Sequence, residues 1–446
     1  MPHPGRRLAL ASALALAVLS AACAGDTEQA APDAASTGQV GGSIAYAAGQ
    51  EPTGFNLGTS KDNILELRHI MGRVWPVAYV VQPDLSLVPS PALDGPARVT
   101  SQDPFTVEWK IAAAATWDDG VPLTAEDFEW VYRSCNDDID PGEPTITDEA
   151  GQPKSGLDCA SSAGYDKVTR FETLSPKLFR MTFAQRVVEY EQLFGEGLPP
   201  AHIGRARPGG WNTGFDADPG ASAGPYRLKE AVKGDHYTLE RNPRYWGPRP
   251  KLDTIVFREV PDLASHPDDL RNDEVQVIYT QPQIDLVQQL AAIPATSSKV
   301  TFGPTWEHLD MNFKNPLLAR KEIRQAIALG LDRDRYVTTL MKPFSPQAKR
   351  LDNRIFMSTQ PEYEAHGQPY AKRSPAAAQA ALEKAGFAKG TDGIYAKGGQ
   401  RLAFRIRAKT PNPLREQMEQ LMQEDLKGVG IELRIDNFSE PESIGS

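Results

Sequence analysis

Near its end the chain carries two short β-compatible runs, LAFRIRA (402–408) and IELRI (431–435), on either side of an amphipathic stretch from Leu414 to Leu426. Strand, helix, strand is the pattern of two parallel strands joined by a crossover helix, because parallel neighbours need a long connection. Two local signals lie upstream of this unit. Gly330 ends one helical run and Asp332 stands as the N-cap of the next. Ser374-Pro375 opens the Ala-rich run SPAAAQAALEKAGF as N-cap and N1, and Gly386 closes it.

At 446 residues the chain has room for about three domains of ~150 residues each. Its 40% hydrophobic content suffices for a sizeable core. The formal charge of -10 argues against a nucleic-acid partner, which would call for a basic face.

The first 23 residues stand apart. Arg6 and Arg7 precede an apolar or small-residue run from Leu8 to Ala22, too short for a comfortable membrane span and closed by small residues. This is an export signal, and its end, LSAAC, resembles a bacterial lipoprotein signal in which Cys23 is lipidated. Plain secretion with cleavage near Ala22 is the alternative. Loss of the two arginines takes the mature charge from -10 to -12. Residues 24–40 are small and polar, cannot bury enough to fold, and read as a flexible tether. Cys135 and Cys159 remain, and an even pair in an exported chain reads as a disulfide rather than a metal site or nucleophile. Spacing alone does not show that their Cα atoms approach closely enough.

The segment TWDDGVPLTAEDF (116–128) concentrates Asp118, Asp119, Glu126 and Asp127. Thr124 followed by Asp127 fits a capping box with Asp in place of Glu or Gln, and acids in the first turn complement the exposed N–H groups. Asp119-Gly120 marks a turn after the strand-like VEWKI (107–111). The four acids are expected to be scaffold.

WDDGVPLTAEDFEWVY resembles the W-x-D-G-x-P-x-T-A-x-D-F signature of the solute-binding proteins of ABC importers, in the peptide-binding (oligopeptide/dipeptide/nickel) family. AGPYRLKE (223–230), YTLERNPRYWG (237–247), LDMNFKNPLLARKEIRQAIALGLDRD (309–334) and SPAAAQAALEKAGF (374–387) resemble further family blocks, in the family's order. The resemblance implies an α/β, periplasmic-binding-protein-like clamshell of two lobes with an inserted smaller domain. By block order lobe I comprises 41–70 and 205–280, the inserted subdomain 71–204, and lobe II 281–446. Family members usually continue beyond a segment like IELRIDNF, so the second lobe is expected to be incomplete and the chain truncated. The usual segment carries an Asp that pairs with a peptide's α-amino group, a role no residue here takes.

The resemblance also implies a function: binding of short peptides by lobe closure, without catalysis or cofactor, and delivery to an ABC permease and ATPase. The protein would act as a monomer held at the outer face of the cytoplasmic membrane, or in the periplasm, by its N-terminal lipid anchor. Carried over residue by residue, the ligand positions are Phe55, Asn56 and Asn63 in the loop after the first strand. Tyr279, Thr280 and Gln281 follow at the crossover into the second lobe, and Trp306 near its start. Core packing competes evenly as the reading of Trp306.

Rival readings draw little support. GASAG (220–224) fits the G-x-S-x-G pattern at Ser222, but DADP before it and Pro225-Tyr226 after it deny the strand–turn–helix that a nucleophile needs. The seven histidines (His3, His69, His202, His236, His266, His308 and His366) form no metal motif in sequence. A nickel or other small-solute binder of the same family, and a truncated lipoprotein with no transport role, remain as alternatives.

Overall fold

The computed structural model describes residues 40–136, 145–147, 153–280, 284–303, 306–408, 410 and 412–438. The signal segment with Cys23, nearly all of the tether, and Gln281 lie outside the described residues.

The chain enters through β1 (Ser43–Ala48), runs through a long polar loop, and forms α1 (Leu65–Met71). β2 (Arg98–Gln102) and β3 (Phe105–Lys110) make a hairpin, α2 (Ala125–Cys135) follows, and β4 (Val168–Ser175) with β5 (Leu178–Phe183) make another. The two hairpins join as one antiparallel sheet in the order β2-β3-β5-β4. Alternation explains the register. Phe105, Val107 and Trp109 of β3 sit opposite Phe183, Met181 and Phe179 of β5, and all six side chains are buried. Trp109 stacks on Phe179 with ring centres 5.3 Å apart, and Phe128 of α2 meets Phe179 at 4.8 Å. Such paired aromatics combine large buried area with a fixed geometry.

The capping box at Thr124 and Asp127 forms as the spacing predicts. Asp127 does more: besides the Thr124 N–H at 2.9 Å, its carboxylate accepts the Ala201 N–H at 3.0 Å from a distant turn. Burial pushes this carboxyl above its ordinary range, opposed by the two N–H donors. Asp119 builds the expected turn by accepting the Val121 N–H, and it also meets His202 at 2.7 Å. Asp118 accepts the Ser222 N–H at 2.9 Å and so ties two chain segments 104 residues apart. Cys135 closes a disulfide with Cys159, their Cα atoms 5.3 Å apart.

A second sheet draws on both ends of the first 280 residues. β6 (Tyr226–Val232), β7 (His236–Arg241), β8 (Thr254–Glu259) and β9 (Val277–Ile278) combine with β1 in the order β6-β7-β8-β1-β9. β1 lies parallel to both of its neighbours, whereas β6, β7 and β8 are antiparallel.

Beyond this lie α3 (Lys321–Gly330), the short α4 (Arg333–Tyr336), α5 (Pro375–Lys384), β10 (Ala403–Ile406), α6 (Pro413–Gly428) and β11 (Glu432–Ile435). β10 and β11 pair in parallel through α6, the crossover that the sequence pattern demands. Asp332 caps α4 by accepting the Arg335 N–H at 3.0 Å. Ser374 occupies the N-cap of α5 ahead of Pro375, but its hydroxyl makes no capping bond. At the other end Gly386 adopts φ +83°, the Gly386 N–H donates to Glu383 and the Phe387 N–H to Leu382. That is a Schellman closure, which a left-handed glycine makes cheap. The apolar residues collect into two cores, one from Phe55 to Phe257 and another from Leu317 to Leu433.

Candidate binding site

In a sheet with parallel strands, ligands gather outside the carboxyl ends of the strands, where loops diverge. Here those ends release the loop 49–64 after β1 and Tyr279-Thr280 after β9.

The loop after β1 is held by its own side chains and by bonds to distant segments. The Asn56 amide donates to the Trp211 carbonyl at 2.8 Å and its oxygen accepts the Gly58 N–H at 3.1 Å. Asn63 donates to the Leu57 carbonyl at 2.9 Å and accepts from Arg68 at 2.5 Å. Thr53 donates to the buried Asp62, and the Thr59 hydroxyl to the Asn56 carbonyl. Gly58 has no substitute: a Cβ there would lie 2.4 Å from the Trp211 ring. Asn56 and Asn63, carried over as ligand contacts, therefore have their amides engaged in shaping the loop. Phe55 is buried edge-on to Tyr237, with ring centres 6.0 Å apart.

Tyr279 is different, being 61% exposed. Its ring meets His69 of α1 at 5.3 Å and 89°, and His69 Nδ1 is 2.8 Å from the Tyr46 hydroxyl of β1. Burial, and secondarily the Arg73 guanidinium, hold the imidazole below its ordinary value. Burial, with Glu66 nearby, drives the Tyr46 phenol far above its own. Both groups are therefore uncharged at neutral pH, and the hydroxyl and the ring nitrogen share one hydrogen bond. The lowered value fixes the sign of a pH effect. A histidine that resists protonation in the folded state contributes stability that is complete above pH 6.5 and lost as pH falls below it. NMR titration of the His69 ring should give a midpoint below 6.5, and a midpoint at or above that value would contradict the burial described here.

Sequence reasoning passes over Tyr46 and His69, since one reads as strand and the other as a scattered histidine. Only their meeting at the sheet edge gives them a place. Thr280 is half-buried beside Tyr279. Trp306, beyond β9 in the chain, is 49% exposed and lies against His308 with ring centres 4.5 Å apart. It is not a core residue. Phe55 and Tyr279 serve opposite flanks of the sheet, since β7, against which Phe55 packs, is three strand steps (about 14 Å) from β9.

Ser222 is buried, and its hydroxyl lies 2.8 Å from the Val74 carbonyl and 2.6 Å from that of Tyr226, which disposes of a nucleophile there. Among the described residues no group of three or more His, Cys, Asp or Glu is placed to hold a metal ion.

A sheet with its first strand set between distant partners, a second core and an exposed tyrosine at the carboxyl edge make up the described body of the chain. The chain belongs to the family described as bacterial extracellular solute-binding proteins, family 5 middle, whose model matches residues 87–443. The oligopeptide-binding protein OppA of Mycobacterium bovis is 27% identical over 404 residues, covering 89% of this chain. The chain spans 64% of that relative's length. Two solved structures share the fold. The periplasmic EDTA-binding protein EppA has a TM-score of 0.77 at 24% identity, covering 90% of this chain and 74% of its own. The oligopeptide-binding protein AppA of Bacillus subtilis, solved with a nonapeptide, has 0.72 at 21%, covering 90% and 75%.

Proposed function

We propose that this protein is a receptor for short peptides that delivers them to the permease and ATPase of an ABC importer. It binds without catalysis, as a monomer, after export and lipidation at Cys23. The observation that carries the reading is the exposed Tyr279 ring, braced by neutral His69 at the carboxyl edge of β1 and β9. It fits a ligand held by aromatic contact rather than by a reacting group. Kinship with the oligopeptide-binding protein OppA supports the ligand class. Roomy peptide pockets tolerate many side chains because bridging water costs little.

A thermal melt of the mature chain with a pool of di- to hexapeptides tests this. A ligand that binds only the folded state raises the melting temperature by mass action. The expected result is an upward shift that Tyr279→Ala reduces, since removing an aromatic anchor costs on the order of 2 kcal/mol of binding, about thirtyfold in affinity. A melt indifferent to peptides but raised by nickel would retain the family and overturn the ligand.

A further inference from the structure

Tyr279 is not alone at the carboxyl edge of the second sheet. A cavity of about 400 Å³ opens there between the loop after β1 and the β6–β7 turn. The turn stands at the carboxyl end of β8, where the Glu259 N–H donates to the Asp235 carbonyl at 2.8 Å. Cavity and Tyr279 therefore lie along one edge, the cavity on the flank of β7 and the tyrosine after β9.

The polar groups of the cavity wall are already engaged. Thr53 donates to Asp62 at 2.6 Å, Asp216 is paired with Lys61 at 2.5 Å, and the Tyr237 hydroxyl is bonded to the Glu259 carboxylate. What is left to a ligand is mostly apolar: the edge-on rings of Phe55 and Tyr237, with Ala217 and Ala231 beside them. A third ring adds to such a pair favourably. Lys233, exposed on the turn, places an ammonium at the rim, and a ring face attracts such a cation. An aliphatic side chain would fill the space without making either contact.

The register of the sheet sets a distance. β7 and β9 are three strand steps apart, about 14 Å. An extended peptide rises ~3.3 Å per residue and covers that distance in about four residues.

We infer that this cavity receives an aromatic side chain of the bound peptide, about four residues along from the one in contact with Tyr279, so that the ligands are peptides of about five residues or more. The inference rests on the peptide reading and narrows it to a length and one side chain.

Calorimetric titration of the mature chain tests it with four peptides: Phe-Ala-Ala-Ala-Phe, Phe-Ala-Ala-Ala-Ala, Phe-Ala-Ala-Ala-Leu and Phe-Ala-Phe. The first is expected to bind about tenfold tighter than each of the others, because it alone brings a second ring as far as the cavity. Ala231 is exposed at the cavity wall, and Ala231→Trp, which fills the space, should abolish that advantage. Equal affinity for Phe-Ala-Phe or for the Leu-ended peptide overturns the cavity assignment and leaves the peptide reading standing. An advantage that survives Ala231→Trp does the same. Failure of all four peptides to bind overturns both.

Discussion

Replacing Asp425 with alanine is expected to lower the stability of the second core by about 3–5 kcal/mol, the usual cost of breaking a buried charged network from one side. Asp425 lies on α6 at 2% exposure. One carboxylate oxygen accepts the Asp332 N–H at 2.9 Å and the Tyr336 hydroxyl at 2.5 Å. The other faces Arg335 at 3.4 Å and Arg373 at 3.6 Å. Both guanidinium groups are partly in water, so the main loss is the two inner hydrogen bonds, with a buried hydroxyl and a buried N–H left unpaired. Asp425→Asn keeps an acceptor and should lose about half as much. Urea unfolding followed by far-ultraviolet circular dichroism would measure both, and a loss below about 1 kcal/mol for alanine would refute the account. The node also carries a pH signature. Burial, then Asp425, push the Tyr336 phenol far above 10, so its contribution is complete below pH 10 and fades as the solution becomes more alkaline.

Removing the disulfide, by Cys135→Ser with Cys159→Ser, should cost roughly 3–4 kcal/mol, as expected from chain entropy for a link across 24 residues. The consequence is local as well as global. The segment around Cys159 supports the loop after β1: the Ala160 N–H donates to the Gly58 carbonyl at 2.8 Å, and the Ser60 N–H to the Asp158 carboxylate at 2.9 Å. Trp211 holds the same segment through its indole N–H on the Asp158 carbonyl at 2.8 Å. Hydrogen exchange of amides 56–64 should therefore accelerate in the double variant, while amides of α3 and α6 keep their protection. Unchanged exchange in 56–64 would show that the loop stands without the bridge.

Short-range chemistry proved readable from the sequence. The capping box of α2, the Asp332 cap and the glycine closure of α5 each involve residues within a few positions, so composition and spacing suffice. The parallel pair through α6 was legible for the same reason, since its two strands and helix are consecutive. Long-range pairing was not. Asp118 gives no hint of Ser222, and Asp425, set in the polar run QEDLKG, reads as a solvated helix acid until α4 is folded against it. The site was legible only as a neighbourhood. Family blocks point to the loop after β1 and to Tyr279, but which amides turn inward to shape that loop depends on Trp211, 155 residues beyond Asn56.

The placement of β1 bears on how the molecule is assembled. Ser43 pairs with Thr254 and Tyr46 with Val277, so the first strand made is an interior strand whose partners emerge more than two hundred residues later. At roughly 5–20 residues per second, the ribosome leaves that strand with two open edges for about 10–40 s. High contact order of this kind slows folding and exposes pairing edges to other chains. A polypeptide that must thread outward through a membrane before it folds gains from such an arrangement, because the sheet cannot close on the N-terminal part alone. Delayed closure makes β1 the segment on which a holding chaperone would act to greatest effect.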